Sequence, residues 1–255
     1  MARYFLRLAY RGAPFHGWQI QPNAPSVQET IERALSTALR TPVAITGAGR
    51  TDTGVNAREM YAHFDYDDEL PDTGKLLVSL NRLAGKDIAI YDIIRVVDDA
   101  HARFDARQRT YKYFVCFSKT PFFYPLSWYC PHGLDLDEMN RAASVLLETE
   151  DFTSFAKLHS DAKTNICHVS RAEWTREGDS GAVFTISADR FLRNMVRAVV
   201  GTLVEVGRGK MTVEEFREVI SRRDRCAAGQ SMPGEALFLW SVEYPWMPEK
   251  KIENN

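Results

Sequence analysis

Apolar and polar positions repeat along this chain with two different periods, which predicts a mixture of strands and helices. Residues 4–10 alternate with a period of two, as a half-buried strand does. Residues 26–39 repeat their apolar positions every three or four residues, and Ser26 and Glu29 have the spacing of a helix capping box. The same criteria predict further strands at 43–45, 60–66, 88–97, 109–117, 164–175, 182–189 and 237–244, and further helices at 75–83, 135–148, 190–207 and 212–221.

The order of these elements favours an α+β fold. The strands are not separated by regular crossover helices, so antiparallel sheets backed by helices are the natural architecture. Three prolines fall in the segment 121–133, and we predict a linker there. This linker separates an N-terminal half (1–120) from a C-terminal half (134–246), and residues 247–255 are predicted to form a frayed tail.

Composition and charge exclude several classes of protein. The 255 residues carry a formal net charge of −2, so a nucleic-acid partner would have to be bound by local basic patches. The four cysteines have no Cys-x-x-Cys spacing, which indicates neither a zinc site nor a disulfide framework. In the helix predicted near the C-terminus, the longest uncharged run is 198–204, far shorter than the ~20 residues that span a bilayer. No signal peptide is recognisable, and we expect a cytoplasmic protein with no membrane partner.

The most unusual stretch is 47–58, in which three glycines and two arginines surround one carboxylate, Asp52. Glycines let a ligand approach the main chain closely, and Arg50 and Arg58 would favour the ionised form of Asp52. A carboxylate presented by a turn between strands is typical of a nucleophile or base. A tight hairpin in which Asp52 pairs with Arg50 explains the pattern equally well. The stretch lacks the Gly-Lys-Ser/Thr end of a P-loop and the third glycine and helix of a dinucleotide fingerprint.

Two dense basic patches are interleaved with aromatic residues. The first spans 103–112, and phosphate contacts combined with ring stacking are the way in which proteins bind unpaired or flipped bases. Tyr111 and Tyr113 share one face of the predicted strand, and packing in the core remains the alternative for one of them. The second patch spans 190–197, where arginines three and four residues apart are predicted to line one helical face. Within it, Arg197 lies close to apolar positions and needs a carboxylate partner.

Residues 49–55, Gly-Arg-Thr-Asp-Thr-Gly-Val, resemble the catalytic motif of the tRNA pseudouridine synthase A family. The resemblance continues over nearly the whole chain, in motifs at 10–19, 101–113, 151–155 and 191–209. Thr53 and Asn56 depart from the family, in which alanine and histidine are usual. Residues 232–235 read Met-Pro-Gly-Glu in place of a more usual Ala-Pro-x-x-Gly. These departures bear on substrate detail more than on the chemistry.

The resemblance implies two similar halves whose antiparallel sheets join into one long sheet, with helices on the outer faces and a central RNA-binding cleft. It implies a homodimer that binds tRNA across both subunits. The implied reaction converts uridine to pseudouridine at positions 38, 39 and 40 of the anticodon stem-loop. It uses no cofactor and no metal.

The resemblance also implies roles for individual residues. Asp52 would be the nucleophile, and Arg197 would form an ion pair that orients it. Tyr111 would stack on the uracil, which must first flip out of its stack, and it is also a candidate catalytic residue. Arg50 would fill the space, or bind the phosphate, that flipping vacates. The basic patches supply further candidate tRNA-binding residues, Arg103, Arg109 and Arg193.

Two other functions remain open on the residues alone. An RNA-binding protein without catalytic activity would need Asp52 only as a turn residue. An aspartate-nucleophile phosphotransferase would need a second aspartate two residues away and a magnesium ion, and Arg50 and Gly54 occupy those two positions.

Overall fold

One nine-stranded sheet forms the centre of the chain in the computed structural model, which describes residues 1–67, 69–70, 72–122, 125–157, 163–178 and 180–247. The strands are β1 (Ala2–Tyr10), β2 (Thr46–Gly47), β3 (Asn56–Tyr66), β4 (Ile88–Arg95), β5 (Gln108–Cys116), β6 (Trp128–Tyr129), β7 (Val169–Glu177), β8 (Gly181–Ala188) and β9 (Leu237–Glu243). The α-helices in the described ranges are α1 (Val27–Leu39), α2 (Thr73–Leu83), α3 (Leu136–Ser144), α4 (Met195–Gly207) and α5 (Val213–Ser221). Short 3₁₀ helices lie at Val145–Leu147, Thr153–Phe155, Arg225–Ala227 and Gly234–Ala236.

β9 joins two parts of the sheet, β4-β1-β3 and β5-β8-β7. The strand order is β4-β1-β3-β9-β5-β8-β7, with β2 beside β3 and β6 beside β5. β9 inserts between β3 and β5, running parallel to β3 and antiparallel to β5. Because β3 belongs to the N-terminal part of the sheet and β5 pairs with β8, this insertion makes one continuous sheet. The predicted α+β fold with one long, mainly antiparallel sheet is confirmed.

The side chains of the sheet and helices form two hydrophobic cores. The first combines β1, β3 and β4 with α1 and α2, and the second combines β5, β7 and β8 with α3, α4 and α5. Tyr113 and Val115 of β5 belong to the second core, whereas Tyr111 packs against both. The junction of the two cores is therefore at β5, close to the middle of the sheet. The sequence boundaries 1–120, 121–133 and 134–246 stay predictions.

The polar residues that were predicted to begin helices do cap them. The Ser26 side chain accepts a hydrogen bond from the Glu29 N–H, and Asp135 accepts from Asp137 and Glu138. Thr212 and Glu215 form the reciprocal capping box at the start of α5. These bonds satisfy backbone donors that have no partner inside the helix. The starts of α1, α3 and α5 are therefore encoded locally.

The predicted helix at 190–207 begins later than expected. α4 starts at Met195, because Asn194 adopts a left-handed backbone conformation with φ of 67° and ends the extended segment before it. The Asn194 amide donates to the Ser231 hydroxyl over 2.6 Å, which fixes this turn. Arg190 and Arg193 thus precede the helix, and the prediction of a single helical face of arginines is wrong.

Other predictions differ in smaller ways. The apolar positions Val43 and Ile45 are buried, but the strand beside them, β2, comprises only Thr46 and Gly47. The predicted tail at 247–255 falls mostly on residues outside the described ranges, namely 248–255. Among the residues that the structure describes, no helix has the length and apolar character needed to cross a membrane.

Candidate active site

Asp52 lies in a tight turn between β2 and β3. Its carbonyl oxygen accepts a hydrogen bond from the Val55 N–H over 3.1 Å, and Gly54 supplies the positive φ of 78° that closes the turn. The Asp52 side chain is 22% exposed, whereas Val55 is buried in the second core. The turn therefore holds its backbone against the protein and leaves the carboxylate accessible.

The loop that follows β1 packs against the Asp52 turn at two glycines. A side chain at Gly12 would overlap the carbonyl oxygen of Val55, and one at Gly17 would lie 2.5 Å from the oxygen of Thr51. Gly17 also has a φ of +94°, which side chains rarely adopt. The main-chain N–H of Trp18 donates to the same Thr51 oxygen over 3.1 Å. The opening motif of the chain thus supports the carboxylate by direct backbone contact.

Asn56 joins three segments around this turn. It is buried, its Oδ1 accepts the Gly12 N–H over 2.8 Å, and its Nδ2 donates to the Glu235 oxygen over 2.7 Å. The sequence marks Asn56 only as a departure from the family. Its positioning role was missed, because the two backbone partners lie 44 and 179 residues away along the chain.

Two arginines, one before and one after Asn194 in the sequence, lie beside the Asp52 carboxylate. Arg197 Nη1 lies 3.5 Å from Oδ2, and Arg193 Nε lies 3.7 Å from Oδ1. Both contacts are ion pairs at distances longer than a typical hydrogen bond. Neither arginine therefore uses up the hydrogen-bonding capacity of the carboxylate oxygens. The Arg193 side chain is 59% exposed and the Arg197 side chain 22%, which makes Arg197 the less screened partner. Arg197, the predicted partner of Asp52, therefore lies beside it, and so does Arg193, which the sequence analysis gives as a candidate tRNA-binding residue.

The orientation of Arg197 is set by the segment before β9. Its Nε donates to the Met232 carbonyl oxygen over 2.5 Å, and the Met232 N–H donates to the Arg197 oxygen over 3.1 Å. These bonds fix the side chain through its Nε and leave Nη1 facing the carboxylate. Met232 makes this contact through its main chain. The contact therefore does not depend on the Met232 side chain, although methionine departs from the family pattern at this position.

Tyr111 lies partly buried at the junction of the two cores. Its ring meets that of Phe191 edge to face, with 5.0 Å between the ring centres. Burial, together with the nearby Asp52 carboxylate, raises the pKa of the Tyr111 phenol above its usual value. The phenol is therefore neutral near pH 7 and can donate a hydrogen bond.

Arg109 binds main-chain oxygens of four residues. Its Nη1 donates to Ala106 and Asp189 over 2.7 Å each, and its Nη2 donates to Arg103 over 2.6 Å and to Ala48 over 3.1 Å. Burial lowers the pKa of its guanidinium. A tRNA-binding role for Arg109 stays a prediction, and these four bonds favour a positioning role. Ala48 precedes Asp52 by four residues, so Arg109 ties the Asp52 turn to its neighbours.

The two remaining predicted residues are on the surface. Arg50 is exposed and lies two residues before Asp52 in the same turn. Arg103 is exposed in the loop that precedes β5, with its guanidinium carbon 5.8 Å from the ring centre of Phe104. Both are accessible to a polyanion.

The arrangement offers acid, base and cation chemistry but no metal site. Within the described ranges, no three histidine, cysteine, aspartate or glutamate side chains are grouped so that they could hold a metal ion. The described cysteines Cys116, Cys130, Cys167 and Cys226 are all free thiols.

Comparisons with known proteins identify the relatives of this chain. A family model described as tRNA pseudouridine synthase matches residues 142–245. The tRNA pseudouridine synthase A of Parabacteroides distasonis is 58% identical over 245 residues, which cover 96% of this chain and 97% of the relative. That of Bacteroides thetaiotaomicron is 60% identical over 247 residues, covering 96% and 91%. That of Porphyromonas gingivalis is 51% identical over 247 residues, covering 96% and 98%.

In each of these comparisons the aligned region covers 96% of this chain. Pseudouridine synthases are isomerases, because uridine and pseudouridine contain the same atoms. With relatives this similar over almost its full length, the chain belongs to the tRNA pseudouridine synthase A family.

Proposed function

We propose that this protein isomerises uridine to pseudouridine at positions 38, 39 and 40 in the anticodon stem-loop of tRNA. Family membership supports the reaction class, since the relatives bear the name tRNA pseudouridine synthase A. The observation that carries the assignment to this chain is the Asp52 carboxylate, accessible in its turn and flanked by Arg193 and Arg197 at 3.7 and 3.5 Å.

The reaction requires one bond exchange and no redox step. The glycosidic bond between ribose C1′ and uracil N1 breaks, the uracil turns, and a bond forms between C1′ and C5. The proton on C5 is lost to water, and N1 gains one, so atoms and electrons balance within the substrate. Because nothing is oxidised and no group is added, the proposal includes neither a cofactor nor a metal.

Asp52 is the proposed nucleophile. The base must leave its stack before it can reach the carboxylate, at a cost of a few kcal/mol. Attack on the uracil, attack on the sugar and removal of a sugar proton all start from an ionised Asp52. Arg197, held by the Met232 oxygen, orients the carboxylate, and Arg193 adds a second positive charge from the exposed side.

The neighbouring groups are assigned to the flipped base and the backbone of the RNA. Tyr111 is the proposed stacking surface for uracil, since its ring lies between the two cores beside Asp52. Arg50 and Arg103 are the proposed phosphate contacts, because both are exposed cations near the turn. The protein is proposed to act as a homodimer in the cytoplasm, where its substrate tRNA is found.

Release of tritium from tRNA labelled at uracil C5 tests the reaction directly. The C5 hydrogen is lost only if C5 becomes bonded to ribose, so wild-type protein should release label in proportion to the pseudouridine formed. Transcripts that keep uridine at only one of positions 38, 39 and 40 test whether each of these positions is modified. Binding of tRNA without release would support a non-catalytic RNA-binding protein. Release from uridines outside the anticodon stem-loop would overturn the proposed positions.

A further inference from the structure

The loop formed by residues 101–107, the 101–107 loop, presents an aromatic ring to solvent. Phe104 is 75% exposed, and the exposed Arg103 lies beside it with its guanidinium carbon 5.8 Å from the ring centre. The inner side of the ring meets His101 at 4.2 Å between ring centres. An exposed phenyl group keeps a large apolar surface in water, and folding alone gives no reason to hold it there.

The backbone of this loop is held by two imidazole rings. His63 Nδ1 accepts the Ala102 N–H over 3.1 Å, and His101 Nδ1 accepts the N–H groups of Arg103 and Phe104 over 3.1 and 3.3 Å. Three consecutive amides are thus satisfied by side chains. The exposure of Phe104 is therefore a property of a fixed loop and does not result from a frayed one.

Further bonds connect the loop to the candidate active site. The Tyr244 hydroxyl donates to the Ala102 oxygen over 2.5 Å. Arg109 Nη2 donates both to the Arg103 oxygen and to the Ala48 oxygen, which lies in the segment that leads to Asp52. One guanidinium thus fixes the distance between the 101–107 loop and the Asp52 turn.

We propose that Phe104 is a second base-stacking site, which binds an unpaired base of the tRNA while another base occupies the site at Asp52. This inference rests on the proposed function. A rigid, exposed ring is suited to the face of any base, and the adjacent Arg103 supplies a cation for the neighbouring phosphate. The site is separate from Tyr111, which is partly buried against Phe191 at the junction of the cores.

His101 is a positioning residue in this proposal, because it shapes the main chain of Phe104 and supports its ring. An asparagine at this position places Oδ1 close to the place of Nδ1 and keeps an acceptor for the two amides. A leucine fills similar space without an acceptor. His101→Asn should therefore retain tRNA affinity, and His101→Leu should lose it to the same extent as removal of the Phe104 ring.

The experiment measures the Kd for unmodified tRNA transcript over a range of KCl concentrations. Phe104→Ala should raise the Kd about fivefold to 150-fold, the loss of one base–aromatic stack, with an unchanged slope of log Kd against log salt. Phe104→Trp should keep the wild-type Kd. The matched control is Phe122→Ala, which removes a ring that is 90% exposed outside the loop and should leave the Kd unchanged.

An unchanged Kd for Phe104→Ala would overturn the proposal. So would an equal loss in Phe122→Ala, because exposed rings in general would then contribute. A fall in the thermal midpoint of Phe104→Ala that accounts for the lost binding would assign the ring to stability and would also overturn it. Tritium release by the wild type is measured in parallel. If release occurs and Phe104→Ala binds normally, only the stacking site fails; if release is absent, the proposed function fails.

Discussion

The two loops that carry the candidate site residues are held in place by different kinds of chemical group. The Asp52 turn is fixed by backbone contacts at Gly12 and Gly17 and by the Asn56 amide. The 101–107 loop is fixed by two neutral histidines. Amides do not titrate, whereas imidazoles do, and burial lowers the pKa of both of these histidines, that of His63 to about 4.

Because of this difference, we expect turnover to depend on the Asp52 turn and the proposed RNA contact to depend on the 101–107 loop. The Asp52 turn keeps its geometry as long as its buried bonds are intact, so substitutions there should affect turnover. The 101–107 loop should respond to pH and to changes in its histidines, and the effects should appear in tRNA binding. Arg109 bonds both the 101–107 loop and the segment that leads to the Asp52 turn.

The largest effect is expected at Asp52. Asp52→Asn keeps the size of the side chain and removes its charge, so turnover should fall by roughly 10⁴-fold or more, as for other catalytic nucleophiles. Binding of tRNA should remain, because the phosphate contacts and the 101–107 loop are untouched. Single-turnover tritium release and a filter-binding Kd, measured on the same preparation, check both statements. Turnover near the wild-type rate would reduce Asp52 to a turn residue.

Loss of the Asn56 amide should affect both stability and rate. Asn56→Ala leaves the buried Gly12 N–H and the partly buried Glu235 oxygen without this partner, which should lower the free energy of unfolding by about 2–5 kcal/mol. Turnover per folded molecule should also fall, because the Asp52 turn loses its link to the opening loop. Urea unfolding and single-turnover rates give the two quantities.

Asn140→Ala is the matched control for Asn56→Ala. Asn140 also uses both ends of its amide, accepting from the Trp174 N–H and donating to the Trp174 oxygen, but it lies in the C-terminal half on α3. Its loss should lower stability and leave turnover per folded molecule unchanged. Equal losses of turnover in the two variants would mean that Asn56 acts only through global stability.

The sequence predicted the fold and the candidate site side chains better than it predicted the residues that hold those side chains in place. Alternation and caps located most strands and helices, because these signals act within a few residues. The turn at Asn194 was missed, since its left-handed conformation depends on a bond to Ser231, 37 residues away. Arg197 was correctly expected to need a carboxylate, from its position near an apolar helical face. The positioning roles of Asn56 and Arg109 could not be predicted, because each of these residues bonds backbone groups that are remote in sequence.

Arg109 provides the next test, because the sequence predicted a phosphate contact and the structure shows four bonds to carbonyl oxygens. Arg109→Lys cannot reproduce this fork of donors, so the free energy of unfolding should fall by about 2–4 kcal/mol. The slope of log Kd against log salt is measured for Arg109→Gln, which also removes the charge, and it should remain that of the wild type. Arg103→Ala is the control: it should reduce the slope by about one and leave stability unchanged. A reduced slope in Arg109→Gln would restore the phosphate role.

Near neutral pH, the smallest effect is expected from the protonation of His63. Burial lowers the pKa of His63 to about 4, with Arg3 and His101 acting in the same direction and Asp65 and Asp105 opposing them. Because the unfolded chain binds this proton near pH 6.5, it holds more protons than the folded chain between pH 6.5 and 4. Stability should therefore fall as the pH falls through this window, by at most about 1.4 kcal/mol per pH unit, and level off below pH 4.

His63→Asn separates this titration from others in the protein. The amide oxygen of the introduced asparagine can accept the Ala102 N–H without gaining a proton, so the variant's stability should depend less on pH between 6.5 and 4. Burial also lowers the pKa of His101, and that ring retains its own contribution in the variant. Urea unfolding of both proteins at half-unit pH steps gives the two curves. Parallel curves would contradict the prediction, because they would mean that His63 takes up its proton equally in the folded and unfolded chains.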